Sequence, residues 1–377
     1  MKVNINKAEL VQSLSIVGMV VDQNTNLIEQ TCVNIEAKEG SLFIKTFNNE
    51  EKIQLKALAQ IIEEGSVFVS YRHINEIIKK LKDGVIEISK DNDDEKEQII
   101  IKAEYAKFTL KTISEAMFPK SEKIDEQWRL EITQEELYRA AKMISFIDYK
   151  DDINVSAKGI LLQSKANKLR LVVTNIKSFV YSEAPIVSKG EEVTEVKVTK
   201  RFMNTIIGMP KTKQIATIIY TNNEITYNYM NISYTSRVIK GSFIKYESLV
   251  PQTADTTITG NRQNFLQVID RVSVMCKSDD NIILTTDKNT CTCSISAQTN
   301  EEFSATEKLN MITTGEDVEF IITKRDLIES VKHFPEEDII INYLKKPQDN
   351  SKAEVVILKS KNNDFLFFAV AVVKQEK

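Results

Sequence analysis

Apolar residues recur at helical spacing in three stretches of the chain, and the stretches lie a nearly constant distance apart. Ile5-Asn6-Lys7-Ala8-Glu9-Leu10 opens the first, with Leu10, Leu14, Val17 and Val21 on one side of a helix. Ile132-Thr133-Gln134-Glu135-Glu136-Leu137 opens the second, with Leu137, Ala141 and Ile144. Ile258-Thr259-Gly260-Asn261-Arg262-Gln263 opens the third, with Phe265, Ile269 and Val272. The opening isoleucines are 127 and 126 residues apart, and Asn6 and Thr133 are suited to cap their helices.

A second pattern keeps the same period. Val69-Ser70-Tyr71-Arg72-His73-Ile74-Asn75-Glu76-Ile77-Ile78 has counterparts at Val198–Ile207 and Ile322–Val331, whose arginines, Arg201 and Arg325, follow Arg72 at intervals of 129 and 124 residues. Each copy follows one short β-branched run and precedes another, which predicts strand, helix, strand. One unit built three times accounts for both patterns.

The alternating segments between these markers predict the remaining strands, mostly in hairpins. In the first third they are Thr31–Glu36, Ser41–Thr46, Lys52–Ala57, Ile99–Lys102 and Lys107–Thr112. Domains of 1–123, 124–253 and 254–377 follow, with exits at Phe118-Pro119-Lys120-Ser121 and Val250-Pro251-Gln252-Thr253. Hairpins with two helices per domain predict an α+β fold with antiparallel sheets. Matched units also predict closure, because each sheet edge can pair with the next. A head-to-tail dimer would give six units, with sheets outside and twelve helices inside.

Composition narrows this picture. The 377 residues are 42% hydrophobic and 28% charged, with only ten Gly and six Pro, as in a globular chain. A net charge of −4 excludes a uniformly basic surface but not a basic stripe. Four cysteines make no disulfide framework. Cys291 and Cys293, alternating with threonines, read as reduced thiols on one side of a strand. The N-terminus has no apolar signal core and no segment is long enough to span a bilayer, so a cytoplasmic protein is expected.

Catalytic patterns are missing: there is no nucleophile motif, Walker loop, dinucleotide turn or HExxH, and only His73 and His333 among histidines. Asp91-Asn92-Asp93-Asp94-Glu95-Lys96-Glu97 reads as a solvated hairpin tip, since it lacks the spacing of a calcium loop. No enzyme activity, cofactor or metal is therefore expected. Arg72, Lys79, Lys80, Arg139, Lys142, Arg201, Lys211 and Lys213 lie on or beside the predicted helices. Facing one cavity, they would line it for phosphates without base specificity; alone, they are solvated helix faces.

Several placed motifs then carry a resemblance. Val20-Val21 followed by Thr25-Asn26-Leu27-Ile28, Glu64-Gly65-Ser66, and Gly159-Ile160-Leu161-Leu162 with Leu169-Arg170-Leu171-Val172-Val173-Thr174 all have counterparts in one family. Gly241-Ser242-Phe243-Ile244-Lys245-Tyr246 with Leu249-Val250-Pro251 resembles its G-x-FPxY…P motif, the most specific of these. The chain resembles the bacterial sliding clamp, the β subunit of DNA polymerase III, over its whole length. It departs where Thr174-Asn175-Ile176-Lys177-Ser178-Phe179-Val180 replaces TDGHRLA, at Ile244 in place of Pro, and at Asp22-Gln23-Asn24 in place of a basic turn.

The resemblance implies three repeated DNA-clamp domains whose paired helices line a ring. The ring would encircle double-stranded DNA without sequence preference and tether a polymerase. It implies an apolar groove for short peptide motifs of polymerase and clamp loader, formed by Ala157, Thr174, Ile176, Phe179, Ile244, Leu249, Phe368 and Val370. It also implies a homodimer in which Phe108 and Leu110 on an edge strand meet Val274 and Met275 after the third domain's first helix. Two other readings stay open: a related clamp for repair, plasmid or phage replication, and an enzyme on a repeated scaffold.

Overall fold

A computed structural model describes residues 1–90, 97–113, 126–147, 155–165, 167–189, 195–251, 253–274, 276–277, 280–299, 303–345, 354–362 and 364–371. The acidic run at 91–96 and the exit at Phe118–Ser121 fall outside them. Six α-helices occur among the described residues: α1 (Lys7–Val17), α2 (Tyr71–Lys80), α3 (Gln134–Ile144), α4 (Lys200–Gly208), α5 (Arg262–Val272) and α6 (Lys324–His333). They are two per third of the chain, as the repeat predicts. Arg72, Arg201 and Arg325 are each the second residue of their helix.

The caps explain where the helices begin. Asn6 accepts a hydrogen bond from Ala8 N at 2.9 Å, and Asn261 accepts one from Asn264 N at 3.0 Å, so each supplies an acceptor to an otherwise orphaned amide. The isoleucines that open the repeats lie before these caps, in strands. Lys2–Asn6, Trp128–Thr133 and Thr256–Asn261 each run antiparallel to the strand that follows the second helix of the same third: Val85–Lys90, Ile215–Tyr220 and Asp338–Leu344. A strand of five or six residues abutting a helix gives too few positions for periodicity to separate the two. Ala59–Glu63 and Phe303–Asn310 carry no strand signal, yet both form sheet edges. Among the described residues each pairs on one side only, so packing imposes little on its composition.

Every strand pairing is antiparallel among the described residues, and the sheets run past the boundaries of the thirds. In one nine-stranded sheet Ile232–Arg237 pairs with Glu51–Ala57, in register from Ile232↔Leu55 to Ser236↔Glu51. In the other, Ser178–Pro185 pairs with Phe365–Val370, Phe179 opposite Phe368. Neighbouring repeats thus share a ladder where each would otherwise expose an edge. A five-stranded sheet (residues 2–6, 59–63, 85–90, 98–103 and 106–111) and a four-stranded sheet (281–287, 292–299, 303–310 and 319–323) complete the set.

The chain packs as two compact units. One comprises Met1–Glu135, Ile186–Glu191 and Lys200–Val238; the other comprises Glu136–Pro185, Glu192–Thr199 and Ile239–Lys377. In the first, Leu10, Leu14, Ile74 and Ile78 of α1 and α2 are buried together with Ile35, Ile44 and Leu55 of the sheet. In the second, Phe265, Ile269, Leu327 and Val331 of α5 and α6 are buried with Ile282, Leu284 and Phe320. Burial on this scale supplies the main favourable contribution to folding, about 25 cal/mol per Å² of apolar surface.

The cysteines do not share a face as the alternation predicts. Cys291 is exposed, in a turn, at φ 53°, while Cys293 is buried in the strand Thr292–Thr299. The turn reverses the chain before the strand begins, which breaks the alternation. Burial pushes the Cys293 thiol up to about 12, so it stays protonated and unreactive.

Candidate functional site

The eight residues of the expected groove all belong to the second unit, and the structure sorts them into two sets. Ile176, Leu249 and Val370 are exposed, at 56%, 48% and 37%, and Ile244 is half-buried. Ala157, Thr174, Phe179 and Phe368 are buried. The accessible members of the set are therefore aliphatic, an aliphatic patch, while its buried members include the two aromatic rings. Phe179 stacks on Phe368 with centroids 4.8 Å apart, and Tyr246 meets Phe179 edge-on at 5.7 Å. Phe179 is a core residue, and its truncation to alanine is expected to cost several kcal/mol of stability.

Three segments are tied together here by backbone hydrogen bonds. Val370 N donates to Lys177 O at 3.1 Å, and Ile244 N donates to Ser156 O at 3.1 Å, next to Ala157. Between the strands Lys168–Thr174 and Ser178–Pro185 the chain turns within three residues. The Thr174 hydroxyl donates to Ser178 O at 2.8 Å and accepts from Ile176 N at 3.0 Å. Asn175 Oδ1 accepts from Lys177 N, Ser178 N and Ser178 Oγ. These bonds hold Ile176 at φ 79°, a left-handed conformation that a β-branched residue adopts at a cost of about 1–3 kcal/mol.

Below the patch lies a charged cluster that the sequence reading did not single out. Arg170 donates from Nε and Nη2 to Glu183 Oε1 at 2.8 and 2.6 Å, and from Nη1 to the Tyr246 hydroxyl and Glu247 Oε1, each at 3.1 Å. Its guanidinium lies 4.4 Å from the centre of the Tyr181 ring. Lys168 adds a second cation on Glu183 at 2.9 Å, and Tyr246 donates to Gln163 at 2.7 Å. Burial pushes the Tyr246 hydroxyl up to about 12, so it remains a donor at neutral pH. Alternation could have found the pair: Arg170 sits between Leu169 and Leu171 in a strand, directly opposite Glu183.

The expected DNA-facing cations divide in the same way. Lys79, Lys80, Lys142 and Lys213 are exposed, and Arg72 is exposed beside Glu76 at 3.2 Å. Lys211 lies 3.6 Å from Glu135. Arg139 is half-buried, bound to Glu136 at 2.9 Å and to Glu183 O. Arg201 bonds Glu51 at 2.7 Å and donates to the carbonyls of Met19 and Val20. Across the six helices there are thirteen Lys and Arg against seven Asp and Glu, a surplus of six in a chain of net charge −4.

Glu51 is buried where the two thirds share a sheet in the first unit. It accepts from the Tyr234 hydroxyl at 2.5 Å, with Arg201, Asn48 and Glu50 the other groups around it. Burial holds its carboxyl above the ordinary 4.5, against the pull of Tyr234 and Arg201. A raised folded value means that its contribution to stability is complete below the unfolded value and is lost as pH rises through the folded one. Glu51→Gln, which keeps the acceptor and cannot ionise, is expected to gain stability relative to the parent as pH rises from about 4 to about 7. Urea midpoints of both proteins across that range check this, and parallel pH profiles would refute it.

The expected dimer contacts sit on exposed features. Phe108 and Leu110 lie on Ala106–Lys111, a strand that among the described residues pairs only with Gln98–Ala103. Phe108 is 38% exposed, opposite the buried Ile101. Val274, just after α5, is exposed, and Met275 lies outside the described residues. Among the described residues no group of three His, Cys, Asp or Glu could hold a metal ion, and no helix is long and apolar enough to cross a membrane.

Antiparallel sheets that run from repeat to repeat, each repeat carrying two helices, define a sliding-clamp fold. Residues 1–122 match the family model for the DNA polymerase III beta subunit, N-terminal domain. A beta sliding clamp of Rickettsia bellii is 23% identical over 279 residues, 73% of each chain. The DNA polymerase sliding clamp of Bacillus subtilis superposes with a TM-score of 0.91 over the whole of both chains at 19% identity. A clamp of Pseudomonas aeruginosa bound to griselimycin gives 0.89 over 99% of this chain and all of that one, at 20% identity. The whole chain thus has the fold of the beta sliding clamps, and its first 122 residues match the N-terminal domain of that family.

Proposed function

We propose that this protein is a DNA polymerase processivity factor, a closed ring of two copies that encircles duplex DNA and tethers a polymerase by topology. The observation that carries the reading is the charge partition: a helix surplus of six in a chain of −4. A clamp holds its helices toward the DNA, where cations exchange condensed counterions for phosphates without reading bases. Domains of 1–123, 124–253 and 254–377 are the repeating bodies of the ring. The edges that no described strand pairs, at Ala106–Lys111 in one unit and at Phe303–Asn310 in the other, support head-to-tail joining of two copies. Phe108, Leu110 and Val274 belong to that joint. The aliphatic patch of Ile176, Leu249 and Val370 is the docking place for short peptide segments of the polymerase and clamp loader. Related clamps work as binding proteins, and no catalysis is assigned to this one. Its place is with replicating DNA in the cytoplasm.

Two measurements test this. Light scattering across a dilution series is expected to give twice the 43.0 kDa chain mass. Protein loaded on nicked circular DNA should resist a high-salt wash and be lost when the circle is cut. A monomer at every concentration, or equal retention on linear and circular DNA, would refute the ring.

A further inference from the structure

We propose that Arg72 is a latch between copies: its guanidinium donates to the backbone carbonyl of Val274, just beyond α5, in a second copy of the chain. The inference rests on the reading of a two-copy ring, and it adds a bond that holds each joint. Its basis is a contact that the chain makes twice within itself and has the parts to make a third time.

The repeats match residue for residue where their first helices begin. Lys7, Gln134 and Arg262 open those helices, and their amides donate to Gly84, Gln214 and Glu337 O, each the residue before the returning strand. All three helices are eleven residues long. Met19, Phe146 and Val274 are therefore equivalent, each the second residue beyond its helix.

Two of the three repeated arginines reach these positions. In the first unit Arg201, at the start of α4, donates from Nη2 to Met19 O and Val20 O at 3.3 and 3.0 Å. In the second unit Arg325, at the start of α6, donates from Nη2 to Phe146 O at 3.4 Å. Each arginine thus extends from its own repeat to the end of the first helix in the repeat before it. A cation in the first turn opposes the dipole of its own helix, and carbonyls at the end of another helix offset that cost. The side chains follow the same plan. A Cβ on Gly208, the last residue of α4, would lie 2.8 Å from Met19 Sδ, and the Phe146 ring stacks 5.1 Å from that of His333, the last residue of α6.

Arg72 belongs to the first repeat and Val274 to the third, so the same rule joins them when a second copy follows head to tail. Arg72 is exposed and bonded to Glu76 within its own helix. Val274 is 71% exposed, whereas Met19 and Phe146 are partly covered. The chain around Val274 is fixed in place, because the Ser273 and Cys276 carbonyls on either side accept from Lys324 Nζ at 2.8 and 2.9 Å. In the joint, Arg72 exchanges Glu76 for the Val274 carbonyl, a bond from a charged donor. The Val274 side chain then covers the last residue of α2, Lys80, as Met19 covers Gly208.

The experiment measures the dimer dissociation constant by sedimentation velocity, without DNA, for the parent, Arg72→Met and Glu76→Gln. Arg72→Met should raise it about a hundredfold, from about tenfold at each of two joints, and Glu76→Gln should not raise it. Arg72→Cys combined with Val274→Cys, in a Cys291→Ser background, should be linked between chains by bis-maleimidoethane. If the parent dimerises and Arg72→Met dissociates no more readily, the latch is overturned while the ring reading stands. Equal weakening by Glu76→Gln would overturn it as well, since Arg72 would then act through its own helix. Cross-links confined to single chains, or none, would exclude a second copy as the partner of Arg72. A parent that is monomeric at every concentration would overturn the ring, and the latch with it.

Discussion

Phe108→Asp is expected to convert the protein to monomers and abolish its salt-resistant hold on circular DNA. The strand Ala106–Lys111 closes one margin of the five-stranded sheet, and Phe108 stands on the same face as the buried Ile99 and Ile101. At 38% exposure it is only partly covered by its own chain. A second copy at this edge would complete the burial and continue the ladder. A carboxylate there must instead be desolvated without a partner, at a cost of about 3 kcal/mol for each joint. A two-copy ring has two such joints, so dissociation should be favoured by about 6 kcal/mol, ~10⁴-fold in Kd. The monomer should stay folded, because the side chain is at a margin rather than in a core. Light scattering and retention on nicked circles measure the effect together. A dimer that persists at micromolar concentration would exclude this edge from the joint.

The second large effect is expected from Arg170→Met. Arg170 is mostly buried and holds Glu183 through two donors, with the Tyr246 hydroxyl and Glu247 as its other partners. Burial opposes its charge, yet hydrogen bonds to Tyr246 and Glu183 keep it above its usual value. Methionine fills the volume and leaves the largely covered Glu183 carboxylate with Lys168 alone. Breaking a buried pair from one side costs about 3–5 kcal/mol, much of it the penalty of the stranded charge. Amide exchange in Lys168–Thr174 and Ser178–Pro185 should accelerate accordingly. Trp128, the only tryptophan, lies in the other unit, and its fluorescence transition should stay in place. Adding Glu183→Leu should recover most of the loss, since an apolar pair strands no charge. Loss of less than about 1 kcal/mol in the single variant would mean the cluster is solvated.

The cluster is expected to matter for docking as well. Tyr246 joins Arg170 to the ring stack of Phe179 and Phe368, and Ile244 packs against that cluster. A change two layers below the surface can therefore alter what the surface presents.

The chain alone carried the three-fold strand–helix–strand repeat, the six helices and the antiparallel α+β class. Those features rest on apolar spacing within ten or twenty residues and on local caps such as Asn6, which any reading of neighbours can recover. The eight residues expected to form a groove come from the resemblance to a family, and all lie in one unit. Tertiary structure decided the rest. That Ile232–Arg237 joins Glu51–Ala57 is a pairing across about 180 residues, and strand alternation says which face is buried but not which strand lies alongside. That Phe179 and Phe368 are base while Ile176, Leu249 and Val370 are surface depends on packing from three distant segments. The left-handed turn at Ile176 runs against its own residue preference and persists because Thr174 and Asn175 hold it. Local spacing specifies elements; long-range packing specifies which of their side chains meet and which remain open to a partner.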